Sequence, residues 1–340
     1  MRAGARESLQ GLLDERHPGA RAAVIADQAV VAALGSPLPA ATLLTFPSGE
    51  VSKSRAMWIE LTDRLLDAKF DRHTVIVAFG GGVATDLAGF VAATYLRGVP
   101  WIAVPTTTLA MLDAAIGGKT GVDTAAGKNL VGAFHPPSAV LSDPVALATL
   151  PHRQYRAGLA EAVKHAAALD GDYGQWLLAH APQIAARETG TLETLIRRSA
   201  ELKADVVMAD EREADRRAVL NAGHTVAHAL ERATDYAIPH GEAVAIGLVV
   251  ETRLAELLGI AQRGTANEIA ALLTRLGLPA AAPVGLDRDR IVQALGTDKK
   301  NRGGVVHAAL IASFGNMAPN GDSWTHSLDP DAVARLLAAT

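Results

Sequence analysis

The chain has 340 residues, which is long enough for two domains and a large hydrophobic core. Its composition, 49% hydrophobic and 20% charged, is typical of a globular protein and excludes general disorder. A formal net charge of -4 gives no general reason to expect nucleic acid or an anionic membrane as a partner, and the absence of cysteine excludes disulfides and thiolate metal sites.

The N-terminal segment, residues 1–20, carries charges throughout and has no apolar core of signal-peptide length. No window of the chain reaches the roughly 18 uninterrupted apolar residues that a membrane-spanning helix needs. We therefore expect a cytoplasmic protein with no membrane partner and no nucleic-acid partner.

Short apolar runs alternate with stretches of helical period in the first part of the chain. We predict five strands, at 21–26, 41–46, 73–79, 99–104 and 139–141. We predict helices at 57–69 and 84–93. Strands that alternate with helices predict a parallel, Rossmann-like sheet, and we place its domain at residues 1–150.

Three glycines, Gly80, Gly81 and Gly82, follow the third predicted strand. Glycines permit a tight turn and a close backbone approach, and the N-terminus of the helix that follows would face an anion such as a pyrophosphate. The pattern is not the GxGxxG fingerprint, so a plain tight turn and a nucleotide-binding turn both remain open. The Thr triplet 106–108, after the fourth strand, is likewise compatible with ligand binding and with capping.

Two glycine-flanked lysines follow in the same half of the chain. Gly117-Gly-Lys119 and Gly127-Lys-Asn129 each place a cation and free backbone amides beside flexible glycines, which is how a loop grips phosphate. A single lysine is more often a solvated surface residue. Two such lysines so close together favour an anion site.

From residue 151 the pattern is mostly helical, and we place a second domain at residues 151–340. We predict helices at 154–169, 191–208, 216–234, 241–258 and 265–276. A final helix to residue 339 is predicted after the cap and first-turn proline Asp329-Pro330. One late strand is predicted within 304–312.

Acidic and imidazole side chains in the second half suggest a metal site. His224 and His228 are four residues apart, so on a helix both imidazoles point to one side. His240 opens the next helical segment, and Glu161 lies on an earlier one. Glu161, His224 and His240 are compatible with three ligands on one divalent ion, although a single buried histidine is more often a hydrogen-bonded core residue. The HExxH glutamate is missing, which excludes a metalloprotease.

The same helical segments carry three cations and an amide, namely Lys164, Lys203, Arg217 and Asn221. Arg217 and Asn221 are one helical turn apart, so one face of a helix would present guanidinium, amide and imidazole together. Lys203, taken alone, is better explained as a solvated charge on a helix.

With these residues assembled, the sequence resembles the 3-dehydroquinate synthase family of sugar-phosphate cyclases. The resemblance runs from about Asp27 to Lys300 and rests on the motifs GGGVATDLAGF, YLRG, VPTTTLAMLD, IGGKTGVD, GKNLVGAFHPP, TLPHRQYRAGLAEAVKH, RAVLNAGHTVAHALE, HGEAVAIG and DKKN. It implies an α/β plus all-α architecture, in which a Rossmann-like NAD domain precedes a helical metal-binding domain and the active site lies in the cleft between them.

The resemblance also implies roles for individual residues. The metal ligands, for zinc or cobalt, are Glu161, His224 and His240. The residues that line the substrate are Asp113, Lys119, Lys164, Lys203, Arg217 and Asn221, with Lys203 and Arg217 near its carboxylate. The phosphate is held by Lys119, Asn129, Asn221, His228 and one of Lys299 and Lys300, with Arg97 from a neighbouring subunit. The NAD contacts are Asp27, Glu50, Lys53, Gly81, Gly82, Asp86, Thr106, Thr107, Lys119, Lys128 and Thr149.

The implied reaction converts 3-deoxy-D-arabino-heptulosonate 7-phosphate to 3-dehydroquinate and phosphate, a lyase step of the shikimate pathway. NAD transiently oxidises a ring hydroxyl, phosphate is eliminated, the hydride returns, and an intramolecular aldol closes the carbocycle. We assign proton handling to His228. The implied partners are a small sugar-phosphate substrate and a second copy of the chain, since Arg97 would act across a homodimer.

Three positions depart from the family pattern, and several related activities stay open. Thr85 and Ala227 occupy positions that are usually glycine in the family, and Gln28-Ala29 departs from the nucleotide-binding motif that usually follows the first strand. An aminodehydroquinate synthase would be nearly indistinguishable. Cyclases that make 2-deoxy-scyllo-inosose or valiolone would be expected to lack the cationic carboxylate pocket, and glycerol-dehydrogenase-like enzymes generally begin their metal set with an aspartate. A non-catalytic NAD-binding protein is disfavoured, because every mapped catalytic position carries the residue that the family pattern expects.

Overall fold

The structure is a computed structural model that describes residues 1–296 and 305–339. The chain divides into two compact units. The first unit comprises Met1–Pro151 and Leu192–Ala200, and the second comprises His152–Thr191 and Glu201–Thr340.

The first unit alternates strands and helices. Its strands are β1 (Arg21–Asp27), β2 (Thr42–Phe46), β3 (Thr74–Gly80), β4 (Trp101–Pro105), β5 (Lys119–Thr124), β6 (Gly127–Phe134) and β7 (Ala139–Val140). Its α-helices are α1 (Leu9–Arg16), α2 (Gln28–Leu34), α3 (Arg55–Asp67) and α4 (Gly82–Thr94). Short 3-10 segments lie at Ala5–Ser8, Glu50–Ser52, Tyr95–Arg97 and Pro144–Thr149, and a π-helical turn lies at Ala110–Ala114.

Five of these strands form the predicted parallel sheet, in the order β2-β1-β3-β4-β7. Ile76 and Ala78 of β3 pack into the core on one side of the sheet, and Val75, Val77 and Phe79 pack into the core on the other. Because both faces are covered, β3 is buried along its whole length and its sequence is continuously apolar. This is why the sequence predicted these strands well.

The remaining strands of the first unit, β5 and β6, form an antiparallel hairpin that was not predicted. The two segments were interpreted as glycine-rich loops. Thr120 and Val122 of β5 are buried, whereas β6 has an exposed face that includes Leu130 and Phe134. The pairing was missed because Gly121 and Gly132, which lie opposite each other within the two strands, interrupt the alternating pattern that predicts a strand.

The second unit is mostly helical. Its α-helices are α5 (His152–Leu169), α6 (Gly171–Ala179), α7 (Ala181–Ala185), α8 (Thr189–Ala209, of which Leu192–Ala200 belongs to the first unit), α9 (His224–Ala233), α10 (His240–Leu257), α11 (Thr265–Arg275), α12 (Arg288–Gly296) and α13 (Pro330–Ala339). A 3-10 segment spans Arg216–Asn221. The short strands β8 (Val306–Ala308), β9 (Ile311–Ser313), β10 (Asn316–Met317) and β11 (His326–Leu328) pair as β8 with β11 and β9 with β10.

Two predictions for the second unit were wrong. The helix predicted at 216–234 is a 3-10 segment and then α9, because Gly223 between them has a φ of 78°, outside the helical region. A side chain at Gly223 would also meet Leu248, with a Cβ only 2.8 Å from its backbone nitrogen. The single late strand is two short strands, β8 and β9, that pair in different sheets.

Across residues 1–296 and 305–339, the helices are too short or too polar for any of them to cross a membrane.

Candidate active site

Three side chains from three helices of the second unit converge on one point. Glu161 is on α5, His224 is the first residue of α9, and His240 is the first residue of α10. The Nε2 atoms of His224 and His240 lie 3.8 and 3.7 Å from the same oxygen, Oε1 of Glu161. One potential ligand atom from each residue lies within 4.8 Å of the other two.

Two glycines of α10 allow the three helices to approach so closely. A Cβ at Gly241 would lie 1.8 Å from the carbonyl oxygen of Ala157 on α5. A Cβ at Gly247 would lie 2.0 Å from the carbonyl oxygen of Gly223, at the start of α9. Because neither distance leaves room for a methyl group, α10 packs against both neighbours only with glycine at these positions.

Both histidines direct Nε2 towards Glu161 because the other ring nitrogen is engaged. Nδ1 of His224 lies 3.2 Å from the carbonyl oxygen of Ala222, and Nδ1 of His240 lies 3.3 Å from Oε2 of Glu231. Both oxygens only accept hydrogen bonds, so each Nδ1 carries the proton and donates it. The lone pair of each neutral ring is then on Nε2, the form that binds a metal ion.

Glu161 completes a donor set that fits a divalent cation. Its side chain is fully buried, Oε2 lies 2.5 Å from Nζ of Lys164, and neither carboxylate oxygen accepts a well-formed hydrogen bond from the described residues. Two metal–ligand bonds of about 2.1 Å span at most about 4.2 Å, so an ion fits between atoms 3.7 and 3.8 Å apart. Two imidazoles and a carboxylate, with a fourth position open, form the ligand set of a catalytic zinc site.

His228 lies beside this cluster but outside the three-residue set. It is one turn along α9 from His224, and its ring centroid is 5.7 Å from that of His224 and 6.4 Å from that of His240. It is only partly buried. An imidazole next to, but not within, the ligand set is suitable for proton transfer.

Three predicted substrate-binding cations of the second unit are buried. The exposed fractions are 1% for Lys164, 6% for Lys203 and 2% for Arg217. The interpretation of Lys203 as a solvated charge is therefore wrong. A buried cation is costly unless it is compensated, and for Lys164 the carboxylate of Glu161, 2.5 Å from Nζ, provides that compensation.

Arg217 and Asn221 do not lie on the same helix as His224, because the backbone breaks at Gly223. Arg217 donates from Nη1 to the carbonyl oxygen of Glu211 at 2.7 Å, and Asn221 donates from Nδ2 to Oε1 of Glu213 at 2.8 Å. The loop before the 3-10 segment therefore positions both side chains. No local pattern in the sequence indicated that Glu213 would contact Asn221.

Asp210 organises that loop. Its carboxylate accepts hydrogen bonds from the backbone amides of Ala214, Asp215 and Arg217 at 2.9, 2.8 and 3.0 Å. The bond from the Arg217 amide, supported by the other two, holds the pKa of Asp210 below its usual value. The ionised carboxylate is thus the form that the fold stabilises.

We expect Asp210→Ala to lower the free energy of unfolding by about 1–2 kcal/mol at neutral pH, because three amides lose their acceptor. A lowered folded pKa contributes stability above the unfolded pKa, and this contribution is lost as pH falls through the folded pKa. The difference from wild type should therefore shrink below about pH 4, in urea unfolding measured from neutral to acidic pH. Asp205→Ala, at an exposed position of α8, is the control, and a difference that persists undiminished in acid would contradict the assignment.

In the first unit, predicted NAD contacts gather around a buried lysine. Lys53 is 4% exposed, and its Nζ lies 2.5 Å from Oδ2 of Asp86. Burial would lower the pKa of Lys53, but the carboxylates of Asp86, Glu50 and Asp123 raise it. Lys128 adds an exposed ion pair, with its Nζ 3.8 Å from Oε1 of Glu50. All of these residues except Asp123 were predicted from the sequence to contact NAD.

Other predicted NAD contacts meet where the strands of the parallel sheet end. A Cβ at Gly81 would lie 2.8 Å from Cγ2 of Thr107, so the turns after β3 and β4 are in contact. Thr106 is buried, and its amide donates to the carbonyl oxygen of Gly80 at 2.9 Å. Asp27, at the end of β1, caps α2 by accepting from the amide of Ala29 at 2.8 Å, and it also accepts from the hydroxyl of Ser48. Gly82 begins α4, whose N-terminus has no side-chain cap.

Three predicted substrate contacts of the first unit lie on or near the hairpin. Lys119 is exposed at the start of β5, and Asp113 lies in the π-helical turn before it. Asn129 lies in β6 with a φ of 55°, and its amide donates to Oδ1 of Asp123 at 2.9 Å. The prediction that this segment offers free backbone amides is therefore wrong at Asn129.

The remaining predicted site residues belong to none of the groups described above. Arg97 is exposed with a φ of 69°, and Thr149 is exposed at the end of a 3-10 segment, where its hydroxyl donates to the carbonyl oxygen of Ala146. Lys299 and Lys300 lie outside the described residues. Glu231 was not predicted as a site residue. It is the last residue of the motif GHTVAHALE, and its place in that motif was the only sign in the sequence of a role at the site.

Comparison with known proteins matches almost the whole chain. Residues 43–157 match the family described as 3-dehydroquinate synthase N-terminal, and residues 158–301 match the one described as 3-dehydroquinate synthase C-terminal. A 3-dehydroquinate synthase of Symbiobacterium thermophilum is 43% identical over 334 residues, covering 95% of this chain and 92% of that protein.

Solved structures of cyclases are similar over their full length. A 2-deoxy-scyllo-inosose synthase complexed with carbaglucose-6-phosphate, NAD+ and Co2+ has a TM-score of 0.90 at 26% identity, covering 99% of this chain and 95% of that chain. A 2-epi-5-epi-valiolone synthase from Streptomyces hygroscopicus subsp. jinggangensis with NAD+ and Zn2+ bound has a TM-score of 0.88 at 28% identity, covering 100% and 94%. These similarities agree with the predicted fold.

Proposed function

The chain belongs to the 3-dehydroquinate synthase family, and we propose a role for each of its site residues in the reaction of that family. Its function is that of a lyase which converts 3-deoxy-D-arabino-heptulosonate 7-phosphate to 3-dehydroquinate and phosphate. The observation that carries the proposal is the convergence of Nε2 of His224, Nε2 of His240 and Oε1 of Glu161.

Glu161, His224 and His240 are proposed to hold one divalent metal ion, zinc or cobalt. Such an ion acts as a Lewis acid towards a substrate oxygen and stabilises negative charge that develops there. The similar cyclases with Co2+ or Zn2+ support a divalent metal without deciding between the two. Lys164 lies beside this donor set, with its Nζ 2.5 Å from Oε2 of Glu161, and its positive charge faces the carboxylate that would bind the ion.

The buried cations of the second unit are proposed to recognise the substrate's carboxylate. Lys203 and Arg217 supply charge-assisted hydrogen bonds, and their burial strengthens them by excluding water. For the phosphate group we propose Lys119, Asn129, Asn221, His228 and one of Lys299 and Lys300. Asp113 completes the proposed substrate contacts.

His228 is proposed to move a proton during the elimination of phosphate. Its ring is next to both ligand histidines, and part of it is accessible to solvent. Because it does not belong to the ligand set, its protonation can change while the metal site stays intact.

The strand ends of the parallel sheet are proposed to bind NAD. The amides at the uncapped start of α4 are suited to the pyrophosphate, since a helix N-terminus attracts anions. Proposed contacts are Asp27, Glu50, Lys53, Gly81, Gly82, Asp86, Thr106, Thr107, Lys119, Lys128 and Thr149. NAD held there would supply reversible hydride transfer and would be regenerated in each turnover.

Several finer assignments are also proposals. We propose a cytoplasmic homodimer in which Arg97 acts on the substrate of a neighbouring subunit. The alternative activity is aminodehydroquinate synthesis or another sugar-phosphate cyclisation of secondary metabolism. The buried cations Lys203 and Arg217 favour a substrate with a carboxylate.

We expect the purified protein to release phosphate from 3-deoxy-D-arabino-heptulosonate 7-phosphate when zinc and catalytic NAD are present, and to form 3-dehydroquinate without net NADH. Removal of either zinc or NAD should abolish the release. The amino analogue of the substrate and a sugar phosphate without a carboxylate are the comparison substrates. Faster turnover of either one by metal-replete protein would contradict the substrate assignment.

A further inference from the structure

Each proposed ligand histidine is the first residue of its helix, where local backbone bonding is weakest. His224 begins α9 and His240 begins α10. The amides in the first turn of a helix have no partner within it, so a side chain or another group has to satisfy them. The direction of a residue at such a position therefore depends on whatever holds the helix end.

Glu251, on α10, holds the start of α9. Its Oε2 accepts from the amide of Gly223 at 2.7 Å, and its Oε1 accepts from the amide of Val226 at 2.9 Å. Glu251 is 2% exposed, and Gly223, the residue at the cap position, has no side chain to do this itself. Glu251 thus serves as an N-cap from a different helix.

The same contact reaches His224 through a single peptide group. The amide nitrogen of Gly223 and the carbonyl oxygen of Ala222 belong to one planar peptide unit. Glu251 binds the N–H side of this unit, and the carbonyl side accepts from Nδ1 of His224 at 3.2 Å. Fixing that plane fixes the acceptor, and the acceptor fixes the tautomer and orientation of the imidazole.

His240 is held in the same way, but without an intervening peptide. Glu231 is on α9, is 4% exposed, and its Oε2 lies 3.3 Å from Nδ1 of His240. The arrangement is reciprocal, since α10 supplies the carboxylate that holds the histidine of α9 and α9 supplies the one that holds the histidine of α10.

We propose that Glu231 and Glu251 are positioning residues, which keep His240 and His224 as Nδ1–H tautomers with Nε2 directed at the metal position. This inference rests on the proposed metal site. Neither carboxylate belongs to the ligand set, and neither acts on the substrate. Their effect is to prepare the site before the ion arrives, as supporting hydrogen bonds to metal ligands generally do.

The test is the zinc affinity of the full-length protein, measured by competition with a chromophoric chelator. We expect Glu231→Gln and Glu251→Gln each to weaken zinc binding about 10–100-fold. Glu256→Gln is the matched control, because Glu256 is also on α10 and also accepts from a backbone amide at the start of a helix, that of Ala266 on α11, at 2.8 Å. It should leave the zinc affinity unchanged, while any loss of folding stability is measured separately in chelator.

The tautomers themselves give a second readout that needs no variant. In metal-free wild type, nitrogen-15 NMR of the labelled histidines should show His224 and His240 protonated at Nδ1. If either is protonated at Nε2, or if both Gln variants bind zinc as wild type does, the inference is overturned. A different result would be that wild type binds no zinc, or that Glu161→Gln binds zinc as wild type does. Either outcome would refute the proposed metal site itself, rather than the positioning role of Glu231 and Glu251. If Glu251→Gln does not fold, the inference is tested by Glu231→Gln, which leaves the cap of α9 intact, and by the histidine tautomers of wild type.

Discussion

Replacing Glu161 by glutamine is expected to remove the metal ion and to slow phosphate release by about three orders of magnitude, since a Lewis acid contributes several kcal/mol to the barrier. Glutamine keeps the size of the side chain but removes the negative charge and replaces one carboxylate oxygen with an NH2 group, whose nitrogen does not bind a cation. The Nε2 atoms of both histidines lie 3.8 and 3.7 Å from Oε1 of this one residue, so Glu161 contributes to the metal position together with both of them. Zinc content after dialysis and phosphate release are the measurements.

A local effect of Glu161→Gln is distinguished from misfolding by two controls. Glu242→Gln changes another carboxylate near the start of α10, one that is ion-paired with Arg153 at 2.7 Å and outside the ligand set. It should keep both zinc and activity. NAD binding by Glu161→Gln should also be unchanged, because the proposed NAD contacts lie in the first unit. Full zinc occupancy together with a wild-type rate in Glu161→Gln would refute the ligand assignment.

Replacing Lys53 by methionine is expected to lower the free energy of unfolding by about 1–3 kcal/mol, because it leaves the half-buried carboxylates of Asp86 and Asp123 without their counter-charge. Oδ2 of Asp86 lies 2.5 Å from the ammonium of Lys53. Burial raises the pKa of Asp123 and the charge of Lys53 lowers it, so Asp123 would also lose a favourable charge. NAD binding should weaken as well, since Asp86 and Glu50 would no longer be held. Urea unfolding and hydrogen exchange of the amides of β3 are the measurements.

The control for Lys53→Met is Lys128→Met, which removes a lysine from the same cluster. Lys128 is about one-third exposed and lies 3.8 Å from Glu50, so its loss should reduce the stability by less than about 1 kcal/mol. A raised lysine pKa contributes stability below the unfolded pKa, and this is lost as pH rises through the folded pKa. The effect of Lys53→Met should therefore be constant near neutral pH and diminish only above about pH 10.5. Equal losses for the two variants would show that burial of the Lys53 pair is unimportant.

The central strands β3 and β4 were predictable because they are buried on both faces. Their residues alternate between two cores, so nearly every position is apolar and the signal is contained in a few consecutive residues. The hairpin of β5 and β6 carried no such signal, since β6 has an exposed face, and Gly121 and Gly132, which lie opposite each other, interrupt the side-chain pattern of both strands.

The candidate site was predictable only in part. His224 and His228 are related by helical spacing, and the resemblance to a family joined them with Glu161 and His240. The positions of Glu231 and Glu251 could not be inferred, because Glu251 reaches an amide 28 residues away and that distance depends on how closely α9 and α10 pack. The break at Gly223 was missed because a glycine in a helical pattern has no unique meaning until a neighbour occupies the space beside it.

The amino-acid sequence was sufficient to predict the parallel sheet, the helical second half, the absence of thiol chemistry and the identities of the proposed ligand residues. These features depend on composition, on periodicity along short segments and on motifs. Three further features required the folded structure: which nitrogen of each histidine faces Glu161, the burial of Lys203, and which carboxylates support the ligand histidines. Hydrogen-bond direction and burial arise from contacts between residues far apart in the chain, and those contacts exist only after the helices have packed.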